Sequence, residues 1–311
     1  MKTDADVIVI GAGAAGLTAA QYAARSNLST LVLEELASGG QALIIDRLEN
    51  YPGFPDPLSG LEFSQALEKQ ARKFGAEFRY ETVMSLAKED GVFRLTLAKG
   101  TMTAQSVIVA SGARHRTLDV PGEADFAGKG VSYCATCDGP FFKNKRMLVV
   151  GGGDAACDEA VYLSHLTDKI IHIHRRDRFR AQKSLAQRVR ENDHIEVRFR
   201  TECRGITGGD KVTGVTLYDN AADKTYEEAV DAVFVFIGSI PRTDFLEGVT
   251  LDEAGYIVTN TLMETNVPGL YAAGDVRATP FRQLVVAAGE GAIAAHSAVA
   301  YIDELRGRAY R

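Results

Sequence analysis

The apolar run Asp6-Val7-Ile8-Val9-Ile10 leads directly into Gly11-Ala12-Gly13-Ala14-Ala15-Gly16, and a unit of the same design returns in mid-chain. In the first copy the run reads as a buried parallel strand. A small-residue helix, LTAAQYAARS, follows, and then a second apolar run, Thr30-Leu31-Val32-Leu33, that ends at Glu34-Glu35. In the second copy Met147-Leu148-Val149-Val150 leads into Gly151-Gly152-Gly153-Asp154-Ala155-Ala156, a G-x-G-x-x-A variant. The helix CDEAVYLSHL and the strand Lys169-Ile170-Ile171-His172-Ile173 come next, ending at His174-Arg175-Arg176. Both Gly11 to Glu34 and Gly151 to His174 span 23 positions, close to the ~20 expected of a dinucleotide-binding unit. Each copy also closes with an apolar strand and a glycine, Val107–Gly112 and Val233–Gly238.

One glycine fingerprint is weak, but two with equal spacing and matching closing strands are strong. They predict an α/β fold of two Rossmann-like dinucleotide-binding domains. Each glycine turn lets the backbone approach a pyrophosphate, toward which the N–H groups of the next helix point. The copies differ at the end of the second strand. Glu34 is positioned to accept hydrogen bonds from ribose hydroxyls. The second copy has HRRDRFR there, with guanidinium groups at Arg175, Arg176, Arg178 and Arg180. A carboxylate would repel a 2′-phosphate, whereas an arginine fork binds one. The first site therefore suits a dinucleotide with a free ribose and the second suits NADPH. The competing reading of HRRDRFR is a solvated basic face.

At 311 residues the chain is long enough for two ordinary domains. Its net charge of -6 argues against a nucleic-acid or acidic-membrane partner. The opening MKTDADVIVIGAG does not resemble a signal peptide, and no apolar stretch is expected to reach the roughly 20 residues of a membrane helix. A soluble, cytoplasmic protein is expected. The chain has four cysteines, too few for a disulfide framework. The pair in VSYCATCDG is thus a catalytic or metal-binding motif rather than a staple.

Near the C-terminus, Gly269–Val276 reads as a short strand ending in Gly-Asp. Phe281-Arg282-Gln283 and a small-residue helix from about Leu284 to Leu305 follow it. Asp275 there can hold a sugar-alcohol hydroxyl or act as an N-cap. With these residues in view, the chain resembles the low-molecular-weight thioredoxin reductases, a family of flavoprotein disulfide reductases. The likeness runs nearly end to end: GAGAAG, Ser38-Gly39-Gly40-Gln41, Glu49-Asn50-Tyr51-Pro52-Gly53, CATCDG, GGGDAA, HRRDRFRA and Ala273-Gly274-Asp275-Val276.

The resemblance implies FAD in the first module, against Gly11, Gly13, Ala14, Gly16, Glu34, Glu35, Gly39, Gly40, Gln41 and Asn50. Val83, Gly112, Asp275, Arg282 and Gln283 would complete that site. It implies NADPH against Gly151, Gly153, Asp154, Ala155, His174, Arg175, Arg176 and Arg180. It also implies that the second module is inserted into the first. The FAD-binding domain is then 1–116 plus 247–311, and the NADPH-binding domain is 117–246 and carries the CxxC. The two crossings would serve as hinges for a rotation of one domain against the other, and the family further implies a homodimer.

A closed zinc site needs four ligands, and the CxxC has neither a second pair nor H-x₃₋₅-H spacing near it. Cysteines at i and i+3 on a helical turn share one face and can close a reducible disulfide. A helix N-terminus at that turn would favour thiolate. Asp138, next in sequence, can carry protons for dithiol–disulfide chemistry; otherwise it is a turn residue before Gly139. The resemblance implies that NADPH reduces FAD, and that FAD reduces a Cys134–Cys137 disulfide. Cys134 then attacks the disulfide of thioredoxin, and Cys137 resolves the mixed disulfide. Cys157 is expected to be a small buried residue, and Cys203 carries no sign of a role.

Three positions depart from the family pattern: Ser111 stands for the usual Thr, Ala155 for a common Ser, and Arg242 for a frequent Asn. Tyr51 occupies a Trp or Tyr position. The competing functions are reduction of a peroxiredoxin-linked or low-molecular-weight disulfide, a flavin-binding redox sensor, and an NADPH oxidase.

Overall fold

The computed structural model describes residues 3–308 except 46, 47 and 49. The chain forms two compact units, Met1–Arg114 with Ile240–Arg311, and His115–Ser239. The sequence draws its boundaries a few residues later, after 116 and after 246.

The first unit begins with β1 (Ala5–Ile10), α1 (Ala14–Arg25), β2 (Thr30–Glu34), α2 (Gly60–Lys73) and β3 (Glu77–Tyr80). An antiparallel meander follows: β4 (Val83–Glu89), β5 (Val92–Leu97) and β6 (Gly100–Val109). Strand order is β3-β2-β1-β6-β5-β4, and β1 lies parallel to both β2 and β6. Side chains alternate across β1. Val7 and Val9 enter the cluster containing α1, while Ile8 and Ile10 enter a second cluster with Leu86, Phe93 and Leu95 of the meander. A strand buried on both faces reads as an unbroken apolar run, which explains DVIVI.

After β7 (Ala113–His115) comes the second unit, with β8 (Val131–Ser132), the short α3 (Ala135–Asp138), β9 (Met147–Gly151), α4 (Asp154–Ser164) and β10 (Ile170–His174). It continues with α5 (Lys183–Arg190), β11 (Ile195–Phe199), the antiparallel meander β12 (Thr201–Gly208), β13 (Val212–Asp219) and β14 (Lys224–Glu228), and then β15 (Ala232–Phe236). Its parallel sheet has the order β11-β10-β9-β15-β8. The four strands β11-β10-β9-β15 repeat the order of β3-β2-β1-β6, with an antiparallel excursion in the same place in the chain. Both units are therefore Rossmann-like α/β folds.

The chain returns through β16 (Ser239–Pro241) to the first unit, which it completes with β17 (Leu270–Ala272) and α6 (Leu284–Leu305). β17 pairs with the end of β6, where Tyr271 lies opposite Ile108. The helix α6 corrects one expectation: at 22 residues it is long and apolar enough to cross a bilayer, by length and composition. Its apolarity has a packing reason. Ala287, Ala294, Ala295 and Ala298 are buried in the cluster that holds α1. A Cβ added at Gly291 would lie 2.1 Å from the Ala15 carbonyl oxygen, so the two backbones nearly touch.

Candidate active site

The two glycine turns share one construction. Gly11 has φ +100 and an added Cβ would lie 2.4 Å from the Ala110 oxygen. Gly151 has φ +155 and its added Cβ would lie 2.4 Å from the Phe236 oxygen. Both are closed against the strand that ends their unit's parallel core. The helix-entry glycines are the opposite case: Cβ atoms at Gly13 and Gly153 would meet nothing within 4 Å. Each is an N-cap in extended backbone with no side-chain cap, so the first N–H groups of α1 and α4 are left for an external acceptor. Open space beside uncapped N–H groups is what a closely approaching pyrophosphate requires. The third position is tight again: a Cβ at Gly16 would sit 1.9 Å from the Gly11 oxygen. Ala14 begins α1 and is buried, whereas Ala155 is the second residue of α4, after Asp154, and is exposed.

In the first unit the Glu34 carboxylate accepts from the Ala12 amide at 2.8 Å and the Leu36 amide at 3.1 Å. It braces the turn, and each oxygen keeps acceptor capacity. Gly39 and Gly40 have φ of +129 and +55, and Gly40 lies against Gly13. Gln41 Nε2 donates to the Ala113 carbonyl at 2.6 Å and to Asp275 Oδ2 at 3.4 Å. Asn50 Nδ2 donates to Gln283 Oε1 at 3.1 Å, and Arg282 stacks over Tyr256 at 4.3 Å. Burial pushes the Asp275 carboxyl up, with Arg282 acting the other way. Asp275 sits within the turn Gly274–Val276 and caps no helix; Ala273 holds the cap position, which corrects the N-cap alternative. Val83 opens β4, and Gly112 has φ +69 with open space at its Cβ position. Among the departures, Ser111 donates to the Arg242 carbonyl at 2.7 Å and Arg242 pairs with Glu35 at 3.4 Å. Tyr51 packs on Phe63, ring centroids 4.7 Å apart. Glu49 of the family motif lies outside the described residues.

In the second unit Arg175, Arg176, Arg178 and Arg180 line a cleft of about 740 Å³. Asp177, Phe179, Arg200 and Asn220 complete its lining. None of the five guanidinium groups is in an ion pair among the described residues. Asp154 fixes the segment from the helix side, its Oδ1 accepting from the Gln182 amide at 2.7 Å. His174 lies elsewhere: it is buried, and a Cβ at Gly152 would come within 2.4 Å of its ring. Burial, then the cations Arg180, Arg176 and Arg175, lower its pKa, and its Nε2 has no hydrogen-bond partner among the described residues. The ring supports the glycine turn from beneath.

Cys134 and Cys137 form a disulfide at the start of α3. Cys134 is the N-cap rather than a residue within the helical turn, and its Sγ accepts from the Cys137 amide at 3.2 Å. That amide is positioned to stabilise a thiolate at Cys134. Asp138 ends the helix. Burial pushes its carboxyl up, opposed by a 2.6 Å hydrogen bond from the Ser132 hydroxyl. Cys157 and Cys203 are free and buried, and burial pushes each thiol up to about 11.

Several contributors escape the sequence reading. Arg200 and Asn220 reach the cleft from the ends of β11 and β13, and no motif marks them. Glu290 of α6 accepts from the Gly274 amide at 2.8 Å and pairs with Arg277. Ser132 had a signal, a hydroxyl two residues before the first cysteine of CATCDG.

Two dinucleotide turns, with a CxxC disulfide in one of the two units, define a dinucleotide-dependent disulfide oxidoreductase. The sequence model described as pyridine nucleotide-disulphide oxidoreductase matches residues 5–291. The chain is 55% identical over 306 residues to a thioredoxin reductase of Treponema pallidum, covering 98% of this chain and 100% of that protein. It is 43% identical to a thioredoxin reductase of Listeria monocytogenes, covering 97% and 95%. The crystal structure of thioredoxin reductase from Streptococcus pyogenes superposes with a TM-score of 0.92 at 38% identity, covering 96% of this chain and 98% of that one. The chain belongs to the pyridine nucleotide-disulphide oxidoreductase family, among its thioredoxin reductases. That membership implies use of a flavin and a nicotinamide dinucleotide.

Proposed function

We propose that this enzyme uses NADPH to reduce the disulfide of a thioredoxin, with FAD as its bound flavin and the Cys134–Cys137 disulfide as its own redox centre. The observation that carries the reading is that disulfide, capped by the Cys137 amide and followed by a half-buried carboxyl. The residues for FAD are Gly11, Gly13, Ala14, Gly16, Glu34, Glu35, Gly39, Gly40, Gln41, Asn50, Val83, Gly112, Asp275, Arg282 and Gln283. The open space at Gly13 and the uncapped start of α1 fit its pyrophosphate. When bound, FAD supplies a two-electron carrier between nicotinamide and disulfide.

For NADPH, Gly151, Gly153 and the start of α4 suit the pyrophosphate, while Arg175, Arg176 and Arg180 suit the 2′-phosphate. Asp154 and His174 hold the loop and the turn that present them. In the dithiol state Cys134 attacks one thioredoxin sulfur as thiolate, and the other sulfur leaves. Cys137 then attacks Cys134 of the mixed disulfide, restoring the intramolecular bond and releasing the second thioredoxin thiol. Two protons accompany the two electrons onto thioredoxin. Asp138, whose burial favours the protonated form, is the group that moves protons at the sulfurs. A cytoplasmic homodimer is part of this proposal, and the free thiols Cys157 and Cys203 fit a reducing compartment.

The test is the visible spectrum of the purified protein. A yellow flavin band should bleach with NADPH and return with oxidised thioredoxin. A protein that stays colourless after added flavin, or that leaves micromolar thioredoxin oxidised, overturns the proposal.

A further inference from the structure

The Ser132 hydroxyl stands at the centre of three hydrogen-bonding groups around the cysteine pair. Its oxygen accepts from the Cys134 amide at 3.1 Å, lies 2.6 Å from Asp138 Oδ2, and lies 3.2 Å from the Cys134 carbonyl oxygen. A serine hydroxyl has one hydrogen and two acceptor lone pairs. The amide takes one lone pair and fixes the oxygen at the end of β8. The hydrogen and the remaining lone pair are left to serve Asp138 and the Cys134 carbonyl.

These positions satisfy both protonation states of the acid. With Asp138 ionised, the serine hydrogen points at the carboxylate. With Asp138 protonated, the carboxylic O–H donates to the free lone pair of Ser132, and the serine hydrogen turns to the Cys134 carbonyl. We infer that Ser132 is the positioning residue for Asp138, its hydroxyl rotating between these two acceptors as the acid loses and regains its proton. In the forward step the Asp138 O–H bond breaks, the proton goes to a cysteine thiolate, and the Ser132 hydrogen swings from the carbonyl to the new carboxylate. Asp138 regains a proton from water. A half-buried acid without such a rotor would leave a hydrogen-bonding group poorly satisfied in one of its two states, which is costly.

The Ser132 hydroxyl is a hydrogen-bond partner of the Asp138 carboxyl. α4, which packs against α3, carries the acids Asp154, Asp158 and Glu159, and Lys143 follows the next turn. Burial raises the Asp138 carboxyl and the Ser132 hydroxyl lowers it. Ser132 itself is 4% exposed, so water does not readily take its place.

The inference rests on the acid–base role proposed for Asp138, and the experiment separates the two. In the holoenzyme, the carboxylic C=O infrared band that Asp138→Asn removes is followed against pH. So is the rate at which NADPH-reduced enzyme reduces a small aromatic disulfide. Because the charge-assisted bond to the carboxylate is the stronger of the two, Ser132→Ala should raise the midpoint of both titrations by about one pH unit. Ser132→Thr, which keeps the hydroxyl, should restore them. An unshifted midpoint in Ser132→Ala, with the rate limb still absent in Asp138→Asn, overturns the inference alone. A rate limb that survives in Asp138→Asn removes the acid–base role and the inference together. If Ser132→Ala does not fold, Ser132→Gly is read by the same criteria.

Discussion

The Arg180 amide donates to the Gly152 carbonyl at 2.7 Å, tying the arginine segment to the glycine turn of its own unit. The Gln182 amide to Asp154 is a second tie, and Arg200 is held by its amide on the Arg176 carbonyl at 2.9 Å. A phosphate in the cleft therefore meets side chains on a backbone already fixed.

Replacing Arg175 and Arg176 together by Ala should raise KM for NADPH roughly 100-fold, since each charge-assisted hydrogen bond contributes about 1.5–3 kcal/mol. KM for NADH should change less than about threefold, because NADH lacks the 2′-phosphate. Steady-state kinetics with both nucleotides decide it; equal effects would make the basic run a solvated face.

The glycines separate stability from binding. Gly11→Ala forces a side chain onto φ +100 and against a backbone oxygen, and should cost at least about 2 kcal/mol in apoprotein melts. Gly13→Ala and Gly153→Ala meet no protein atom and should melt as the parent does. They should weaken FAD and NADPH binding respectively by about tenfold or more, measured by flavin retention and by nucleotide titration. Unchanged binding in both would remove the dinucleotide reading of the turns.

Cys137→Ser should lower thioredoxin turnover by about 1,000-fold or more, while NADPH still bleaches the flavin band. Full NADPH consumption with oxygen in this variant would favour the oxidase alternative. The buried Cys157→Ala should leave thioredoxin turnover within about twofold, as burial holds its thiol far above neutral pH.

His172 is fully buried and its pKa is lowered to about 4 by burial, despite the Gly151 carbonyl at 3.2 Å. The folded value lies below the unfolded value of about 6.5. Its stabilisation is therefore present above pH 6.5 and is lost as pH falls toward 4, by up to about 3 kcal/mol. Denaturant unfolding followed by circular dichroism should be weaker at pH 5 than at pH 7, and His172→Leu should flatten that difference. An unchanged slope in the variant would assign the acid sensitivity elsewhere.

The paired fingerprints were legible because a glycine turn is local chemistry: positive φ, helix entry and strand end fall within a few consecutive residues. The helices begin earlier than the apolar pattern indicates, at Ala14 and Asp154, since polar or small first-turn residues carry no periodicity. The expectation that no apolar stretch reaches the length of a membrane helix fails for a related reason. A helix pressed against another backbone uses Ala and Gly on its contact face, and such a sequence meets the length and apolarity of a membrane span.

The sequence by itself determined two repeated α/β units, the acid of one and the arginines of the other, and the reactive sulfur pair. Only the tertiary structure decided which distant groups come together: Gln41 beside Asp275, Arg200 in the arginine cleft, and the His174 ring beneath Gly152. Motifs record conformations set by adjacent residues. Hydrogen bonds and close packing between residues far apart in the chain leave no period or spacing to read, and exist only once the sheets have brought those residues together.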